Sequence, residues 1–422
     1  MAKRAAMSTA PTGAEIPLGL YLHFPWCVSK CPYCDFNSFA LRDDVAGRDG
    51  VPEDSYVRNL QHDLEHQIET QANLIGGRKV ATIFMGGGTP SLFSPDAIGR
   101  VLNFVRRNIG ILADAEVTLE ANPGTIERGR FTEYAAAGIN RVSLGAQSFD
   151  TEALHALGRI HSPDDTRAAV EELRAAGLSN FNLDLMYGLP AQDVERAMFD
   201  VRTAITLEPT QISHYHLTLE PGTAFAARPP SRLPSDETTE RMLEAASEAF
   251  AIAGYRHYEV SAHAREGGRS AHNVLYWQFG DYLGVGAGAH GKLSGFDPAI
   301  GAFIVRRSTQ QREPRRYQRE AGATLIWRDV DPAQRPFEFM LNALRLLEGF
   351  VVADFERRTG LGFPTIAQTL TALADRGLVS FDGASFDGAS FDAAPVRVRP
   401  TRFGLRYLND LLVEFLPSTA GP

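Results

Sequence analysis

The sequence is poor in cysteine, with three in 422 residues. So few thiols exclude a disulfide framework, and unpaired thiols are typical of a reducing compartment. Long apolar runs are also missing, since no segment approaches the roughly 18 uninterrupted apolar residues that a membrane-spanning helix needs. Residues 1–16 lack the apolar core of a signal peptide. We therefore expect a cytoplasmic protein.

An excess of positive charge is missing as well, because the formal net charge is −9. Broad binding to nucleic acid requires cationic surface that displaces counterions, so we expect no nucleic-acid partner. The chain is 44% hydrophobic and 22% charged. These values and its length predict a large buried core divided into two or three domains.

The three cysteines are close together as Cys-x3-Cys-x2-Cys, at Cys27, Cys31 and Cys34. Thiolates hold iron–sulfur clusters, and three of them leave one iron of a four-iron cluster open to a non-protein ligand. The alternative is a structural zinc site completed by His23 or Asp35. Structural zinc usually takes two separated ligand pairs, so the compact triplet favours the cluster. We predict that all three cysteines are metal ligands.

Up to about residue 220, short apolar runs alternate with longer helical patterns, which predicts an α/β fold with a parallel sheet. The predicted strands are Gly19–Phe24, Val80–Met85, Glu116–Glu120, Arg141–Leu144, Phe181–Met186 and Gln211–Leu217. The predicted helices between them are Ser55–Ala72, Pro95–Asn108, Thr151–Ala176 and Val194–Thr206.

Unusual residues follow these strands or lie late in them. They are Cys27, the segment Gly86-Gly87-Gly88-Thr89-Pro90, the segment Glu120-Ala121-Asn122-Pro123, Gln147, Asp184 with Tyr187, and His216. Parallel βα barrels place their chemistry at the carboxyl ends of the strands. This distribution favours a barrel over a doubly wound sheet.

The rest of the chain divides into further segments. We predict a flexible tail over 1–16, a barrel over 17–230, an extension over 231–334 and a winged-helix-type domain over 335–422. The extension shows a helix over Glu237–Ala253, a strand over Tyr255–Val260 and an arginine-rich loop over Arg312–Arg319. The last domain shows helices over Phe337–Leu347, Val352–Arg358 and Pro364–Asp375, then a strand-like end with Thr401–Leu412 closing the chain. The acidic balance favours a structural or docking role over DNA binding. The repeat of Ser-Phe-Asp-Gly-Ala from Ser380 is interpreted as a neutral expansion of a hairpin loop.

The segment from Tyr21 to Phe36 resembles the cluster loop of radical S-adenosylmethionine (SAM) proteins, in which SAM chelates the open iron. That resemblance implies a [4Fe-4S] cluster, SAM and a partial (β/α)6 barrel. The chain is also similar to the oxygen-independent coproporphyrinogen III oxidase family and its haem-chaperone relatives. The features that carry this second resemblance are the cluster loop, the glycine-rich segment, the Glu120 segment, Gln147, Arg159 and Asp184. The SAM contacts that it implies are Tyr21, Gly87, Gly88, Thr89, Glu120, Gln147, Arg159 and Asp184.

Elementary chemistry is compatible with these roles. Glycines let a backbone approach a ligand where a Cβ would collide. Glu120 can accept hydrogen bonds from a ribose or an amine, or form a salt bridge at the rim. A buried carboxylate between Leu183 and Leu185 requires a partner, so we expect Asp184 to contact SAM or Arg159.

Two departures from the oxidases favour the haem-chaperone branch. Phe36 stands where the oxidases carry a further cysteine, and the segment ahead of the cluster loop is short. That branch also carries the motif His-Asn-x-x-Tyr-Trp, found here at 272–277. Histidine is a common axial ligand of haem iron, and aromatic rings offer flat faces to a porphyrin. His272 is therefore the predicted haem ligand, and the alternative is a structural histidine beside two aromatics.

The resemblance implies a haem chaperone that binds haem, a [4Fe-4S] cluster and SAM. Its implied partners are a haem-receiving respiratory protein and an electron donor for the cluster. The client protein could be associated with a membrane. The alternative function is oxygen-independent coproporphyrinogen III oxidase, which decarboxylates its substrate oxidatively. A zinc protein without iron is the third alternative.

Overall fold

The computed structural model describes residues 16–41, 51–124, 129–320, 323–382 and 396–417. Residues 1–15 of the predicted tail lie outside the described residues, as does the predicted repeat after Asp382.

The strands are β1 (Leu18–Phe24), β2 (Trp26–Cys27), β3 (Phe39–Ala40), β4 (Val80–Gly87), β5 (Ile111–Ala121), β6 (Arg141–Gln147), β7 (Phe181–Tyr187), β8 (Gln211–His216), β9 (Arg256–Glu259), β10 (Ala262–Ala264), β11 (Asp281–Val285), β12 (His290–Asp297), β13 (Ala302–Thr309), β14 (Ile326–Asp329), β15 (Phe350–Val351), β16 (Val379–Asp382) and β17 (Arg397–Pro400). The α-helices are α1 (Glu53–Thr70), α2 (Ala72–Ile75), α3 (Pro95–Asn108), α4 (Phe131–Ala137), α5 (Thr151–Ala156), α6 (Pro163–Ala175), α7 (Val194–Thr206), α8 (Ala224–Ala227), α9 (Asp236–Ile252), α10 (Ala271–Trp277), α11 (Pro314–Glu320), α12 (Arg335–Ala343), α13 (Val352–Thr359), α14 (Pro364–Asp375), α15 (Arg402–Arg406) and α16 (Leu408–Val413). Among the described residues, no helix is both long and apolar enough to span a bilayer.

The main sheet has six adjacent parallel strands in chain order, β1-β4-β5-β6-β7-β8. Beyond β8 it continues through antiparallel β10 and β9. Beyond β1 it continues through parallel β11 and antiparallel β12, β13 and β14. The two outermost strands, β9 and β14, do not pair with each other within the described residues, so the sheet stays open. The predicted α/β fold with six parallel strands in a partial barrel is confirmed.

The strands form where the sequence is apolar enough to be covered on both faces. Every residue of β6 is buried, which is typical of parallel strands between helices and a filled interior. Helix α3 begins with a side-chain cap from Ser94 to the amide of Ala97 and has Pro95 in its first turn, both favourable helix starts. The predicted bounds of α3 and α7 agree with the structure.

The single predicted helix over Thr151–Ala176 is wrong, because two helices occupy this stretch. Gly158 adopts a left-handed conformation, with φ of 69°, after the end of α5. Helix α6 then starts anew with a capping box in which Ser162 and Asp165 bond each other's amides. The turn between them carries Arg159 into the interior.

The extension is more regular than the sequence indicated. The predicted helix and strand are α9 and β9, with each end shifted by one residue. The predicted arginine-rich loop is wrong over most of its length, because Pro314–Glu320 forms helix α11.

The C-terminal segment contains α12, β15, α13, α14 and the three-stranded antiparallel sheet β15-β17-β16. This order is the winged-helix arrangement that was predicted. The strand-like interpretation of the end is wrong for Thr401–Leu412, because Arg402–Arg406 and Leu408–Val413 are helical, and strand β17 ends just before this stretch, at Pro400. The core of this segment also includes Phe279 and Val305 from the extension. The segment is therefore continuous in packing with the sheet.

A buried ion cluster fixes β11 to its neighbours. Asp281 accepts from Lys292 Nζ at 2.7 Å and pairs with Arg78 Nη1 at 2.8 Å, and all three side chains are almost inaccessible. Ser294 Oγ donates to the same carboxylate at 2.6 Å. The two cations and the hydroxyl offset the cost of burying the Asp281 carboxylate, because they pair its charge and donate hydrogen bonds to its oxygens.

Candidate metal and cofactor site

The three cysteines lie on one loop above the carboxyl end of the parallel strands. Cys27 belongs to β2, which pairs with β3 across the base of the loop. Lys30 Nζ donates to the carbonyls of Phe36 and Ser38, at 3.0 and 2.9 Å, and these bonds hold the loop closed. All three cysteines are partly exposed, and they line a cavity of about 580 Å³. The loop therefore presents every thiol of the chain to one space.

The thiols are surrounded by groups that can stabilise thiolates. Arg159 Nη1 lies 3.6 Å from Cys31 Sγ, and Ser38 Oγ lies 3.5 Å from Cys34 Sγ. Burial raises the pKa of the Cys27 thiol, the hydroxyls of Thr89 and Ser38 lower it, and the other two thiols raise it. Bound cationic metal favours deprotonated thiols, so this donor set fits an iron–sulfur cluster. The described residues contain no set of three or more His, Cys, Asp or Glu side chains placed around a single metal ion.

The glycine-rich segment forms the end of β4 and is tied to the base of the cysteine loop. The amides of Gly88 and Thr89 donate to the carbonyls of Phe24 and Trp26, at 2.7 and 2.8 Å. A Cβ at Gly88 would lie 2.6 Å from the Trp26 oxygen. Gly87 has φ of 106°, and a Cβ there would lie 2.2 Å from the His23 ring. These glycines are required by internal packing, while both still line the cavity.

Gln147, Asp184 and Glu120 also line the cavity. Gln147 Oε1 accepts from Tyr215 at 2.6 Å. Asp184 accepts from Asn182 Nδ2 at 2.8 Å and from Ser143 Oγ at 3.2 Å. The contact expected between Asp184 and Arg159 is not a hydrogen bond in this structure. Neutral donors satisfy the buried carboxylate instead.

Arg159 bonds elsewhere in the cavity. Its Nη2 donates to Asn122 Oδ1 at 2.5 Å and to the carbonyl of Gly145 at 2.9 Å, and its Nε is buried without a partner among the described residues. Asn122 Nδ2 in turn donates to Thr89 Oγ1 at 2.9 Å. Arg159 thus connects the cysteine loop, the glycine-rich segment and β6.

The Glu120 carboxyl is buried, and few neighbouring groups offset the cost of burying its charge. The Gly87 amide donates to it at 3.2 Å, and it forms no ion pair within the part of the chain that the structure describes. Burial, followed by the charge of Asp184, raises the pKa of Glu120 to about 8, although the Gly87 amide acts to lower it. The cavity is therefore suited to a ligand that brings a cation or hydrogen-bond donors to this carboxyl.

The raised pKa gives a testable stability effect. A carboxyl whose pKa is higher in the folded state contributes stability that is complete below its ordinary pKa and is lost as the pH rises through the folded value. Glu120→Gln should therefore stabilise the ligand-free protein at about pH 8, by on the order of 4 kcal/mol, with no gain near pH 4. Denaturant unfolding at both pH values measures this difference. Exposed Glu133→Gln is the matched control, and an equal effect of both variants would contradict the account.

Tyr21 and His272 are set apart from the other predicted site residues. Neither lines the cavity, whereas Phe84 lines it and stacks on both rings, with centroids at 6.4 and 5.3 Å. Tyr21 Oη bonds His23 Nδ1 at 2.9 Å. His272 is 1% exposed, and its Nδ1 bonds Thr82 Oγ1 at 2.9 Å. The roles predicted for these two residues, a SAM contact for Tyr21 and a haem ligand for His272, stay predictions.

The His-Asn-x-x-Tyr-Trp motif occupies helix α10 and divides between two faces. His272 and Tyr276, one turn apart, contact each other with ring centroids at 4.5 Å. Asn273 and Trp277 line the cavity. Residues four apart share a helix face, so the motif presents its amide and indole to the cavity and its imidazole to the sheet.

Sequence reasoning missed several polar cavity residues. Ser143, Asn182, Ser213 and Tyr215 line the cavity from β6, β7 and β8. These residues could have been found from the two-residue period of the predicted strands, because residues two apart lie on the same face of a strand. Asn182 shares a face with Asp184, and Ser213 shares a face with Tyr215.

The comparisons with known proteins agree with this geometry. Residues 21–201 match the Radical SAM superfamily model, and residues 330–387 match the model of the HemN C-terminal domain. The chain is 47% identical over 346 residues to Heme chaperone HemW of Escherichia coli, covering 82% of this chain and 87% of that protein. It is 45% identical to Heme chaperone HemW of Haemophilus influenzae over the same shares of the two chains.

A solved structure with a similar fold is that of coproporphyrinogen III oxidase (HemN) from Escherichia coli, described as a radical SAM enzyme. The TM-score is 0.74 at 24% identity, covering 95% of this chain and 90% of the other. At this identity the likeness establishes the fold.

Proposed function

The chain belongs to the Heme chaperone HemW family within the radical SAM superfamily, and from this premise we propose that it binds haem and transfers it to a haem-receiving protein. The observation that carries the proposal is the 47% identity to the Escherichia coli chaperone along 87% of that protein. The proposed client is a respiratory haem protein. The proposed compartment is the cytoplasm, where free thiols stay reduced.

The proposed cluster ligands are Cys27, Cys31 and Cys34, and the superfamily implies a [4Fe-4S] cluster with SAM. Three thiols on one loop leave an iron for SAM. The residues proposed to line the SAM site are Gly87, Gly88, Thr89, Glu120, Gln147, Arg159 and Asp184, all of which face the cavity. The cluster, when bound, supplies an electron from an external donor. Tyr21 is proposed to act indirectly, because it supports Phe84 and His23.

A second candidate function is oxidative decarboxylation of coproporphyrinogen III, which the fold of the HemN structure favours. The side chain of Phe36 is 62% exposed at the cavity rim, at the position where the oxidases carry a further cysteine. A phenyl ring cannot replace a thiol in metal binding or redox chemistry. We therefore place the chaperone first.

The two functions are separated by turnover. Reconstituted protein with SAM and a low-potential reductant should bind haem near one per chain and should leave coproporphyrinogen III unconverted. Anaerobic product analysis by chromatography and haem titration by absorbance measure the two quantities. An oxygen-independent oxidase assayed in parallel is the positive control. Repeated conversion by the wild-type chain would replace the chaperone proposal with the oxidase.

A further inference from the structure

Four exposed arginines form a cationic stripe on helix α11 and just before it. They are Arg312, Arg315, Arg316 and Arg319. Residues three and four apart share a helix face, so the last three lie on one side of α11, while Pro314 and Tyr317 are buried on the other. The formal net charge of the whole chain is −9. The stripe is therefore a local excess of positive charge on an acidic protein.

The arginines of the first turn do not stabilise α11. Arg315 and Arg316 lie in that turn, which contains no acidic residue, and the helix dipole disfavours cations there. Glu313 offsets this effect in part, because it accepts hydrogen bonds from the amides of both arginines, at 3.0 and 2.7 Å. The folded chain thus gains little from cations at these positions, which favours a role in contact with another molecule.

Internal ion pairs neutralise only part of the stripe. Arg316 pairs with Glu320 at 3.2 Å, and both side chains are exposed, so solvent screens the pair. Arg312 and Arg319 form no ion pair within the part of the chain that the structure describes. The Nε of Arg312 donates to Asn37 Oδ1 at 3.4 Å, which leaves its terminal nitrogens facing outward. Guanidinium groups bind carboxylates through two parallel hydrogen bonds, so the stripe suits an acidic partner.

The stripe is joined directly to the cysteine loop. Asn37 Nδ2 donates to the carbonyls of Arg312 and Ala287, both at 2.9 Å. A Cβ on Gly288 would lie 2.2 Å from the same nitrogen, so the two segments are packed without a gap. Asn37 follows Cys34 by three residues, and three peptide steps span at most about 11 Å between Cα atoms. The stripe therefore begins beside a proposed cluster ligand.

The loop contributes different residues to the cavity and to the contact with the stripe. Cys34 and Ser38 line the cavity, whereas Asn37 and Arg312 do not. Electron transfer requires two redox centres to be close and does not require them to touch. A partner held by the stripe would thus approach the cluster while the cavity stays open to SAM.

We propose that the cationic stripe docks the acidic face of a one-electron carrier protein that reduces the cluster. This inference rests on the proposed cluster at the three cysteines. One electron leaves the reduced prosthetic group of the carrier, which is oxidised, and enters the cluster, which is reduced, and no atom is transferred. The net negative charge of the chain repels an acidic protein, so attraction confined to the stripe orients the carrier towards the cysteine loop. The position beside the loop favours an electron carrier over an anionic lipid surface, because lipid headgroups exchange no electron with a cluster.

The test is anaerobic stopped-flow reduction of the full-length, cluster-reconstituted protein by reduced flavodoxin, an acidic flavoprotein. The stripe variant, Arg312→Gln with Arg319→Gln, should lower the second-order rate constant roughly tenfold at low ionic strength. In about 0.5 M salt the difference from the wild type should nearly vanish, because salt screens exposed charges. Arg241→Gln with Arg256→Gln is the matched control, since it removes two exposed arginines from α9 and β9. This control should react as fast as the wild type.

Two further measurements separate docking from damage to the cluster. Reduced methyl viologen, a small cationic donor, should reduce the stripe variant as fast as the wild type, and iron content and SAM affinity should stay unchanged. In low-salt calorimetry with cluster-free protein, oxidised flavodoxin should bind the stripe variant more weakly than the wild type.

An unchanged flavodoxin rate in the stripe variant, an equal loss in the control variant, or a wild-type rate that does not fall with salt would each overturn the inference. Loss of binding to phosphatidylglycerol vesicles in the stripe variant, with an unchanged flavodoxin rate, would assign the stripe to lipid instead. A wild-type chain that assembles no cluster would overturn the proposed cofactor site, whereas full cluster content with an unchanged rate would overturn the docking surface alone.

Discussion

Replacement of Cys27, Cys31 or Cys34 by alanine should abolish the visible iron–sulfur absorbance after reconstitution. The chain contains no fourth cysteine, so no other thiol can replace the lost ligand. Two thiolates leave two irons of a four-iron cluster without a protein ligand. Iron and sulfide content should fall to background in each variant, whereas far-ultraviolet circular dichroism should stay close to that of the wild type.

Ser38→Ala is the matched control for this experiment. It removes a hydroxyl 3.5 Å from Cys34 Sγ and leaves all three thiols in place. Iron content in this variant should stay near that of the wild type. Full iron content in any cysteine variant would contradict the ligand assignment. One zinc per wild-type chain without iron would favour the structural zinc alternative.

Asp281→Asn should destabilise the ligand-free protein by about 3–5 kcal/mol, the usual cost of removing one partner from a buried ion pair. The substitution leaves Lys292 and Arg78 buried without their counter-charge. Burial acts to raise the pKa of Asp281, and the charges of Lys292 and Arg78 outweigh it, so the pKa lies below its ordinary value. The ion-pair stabilisation is therefore complete at neutral pH and is lost as the pH falls through the lowered value.

Urea unfolding at neutral and acidic pH measures this effect, and the variant should approach the wild type in acid. Glu195→Gln provides the comparison, because it breaks the exposed pair with Arg202, and such pairs contribute little. Similar decreases in the free energy of unfolding in both variants would show that the buried ion pairs of Asp281 stabilise the protein no more than an exposed pair does.

The parallel strands were predictable because both their faces are covered. Val142 and Leu144 of β6 and Leu183 and Leu185 of β7 are fully buried, and this environment selects apolar residues at these positions. The short antiparallel strand β10 was not predicted, although its neighbour β9 was. A strand of three residues has too few positions to show a period, and β10 depends on pairing with β8, which is distant in sequence.

The candidate site shows the same division. The cysteine spacing and the glycine-rich segment are local signals, and the structure brings them together. The direction of His272 is a tertiary property, since helical spacing separates it from Asn273 without indicating which face meets the cavity. The sequence also could not show why glycine is required at position 87. The structure shows that a Cβ there would collide with the His23 ring.

The shared core of the C-terminal domain limits how this protein can change by recombination. Phe279 packs against Phe339 with ring centroids at 5.5 Å, Arg358 donates to the carbonyl of Gln278, and Arg345 covers the ring of Trp277 at 4.3 Å. A foreign domain joined near residue 335 would need to match these three contacts. The helix that carries Asn273 and Trp277 into the cavity is thus supported from outside, and the two parts are expected to be inherited as one unit.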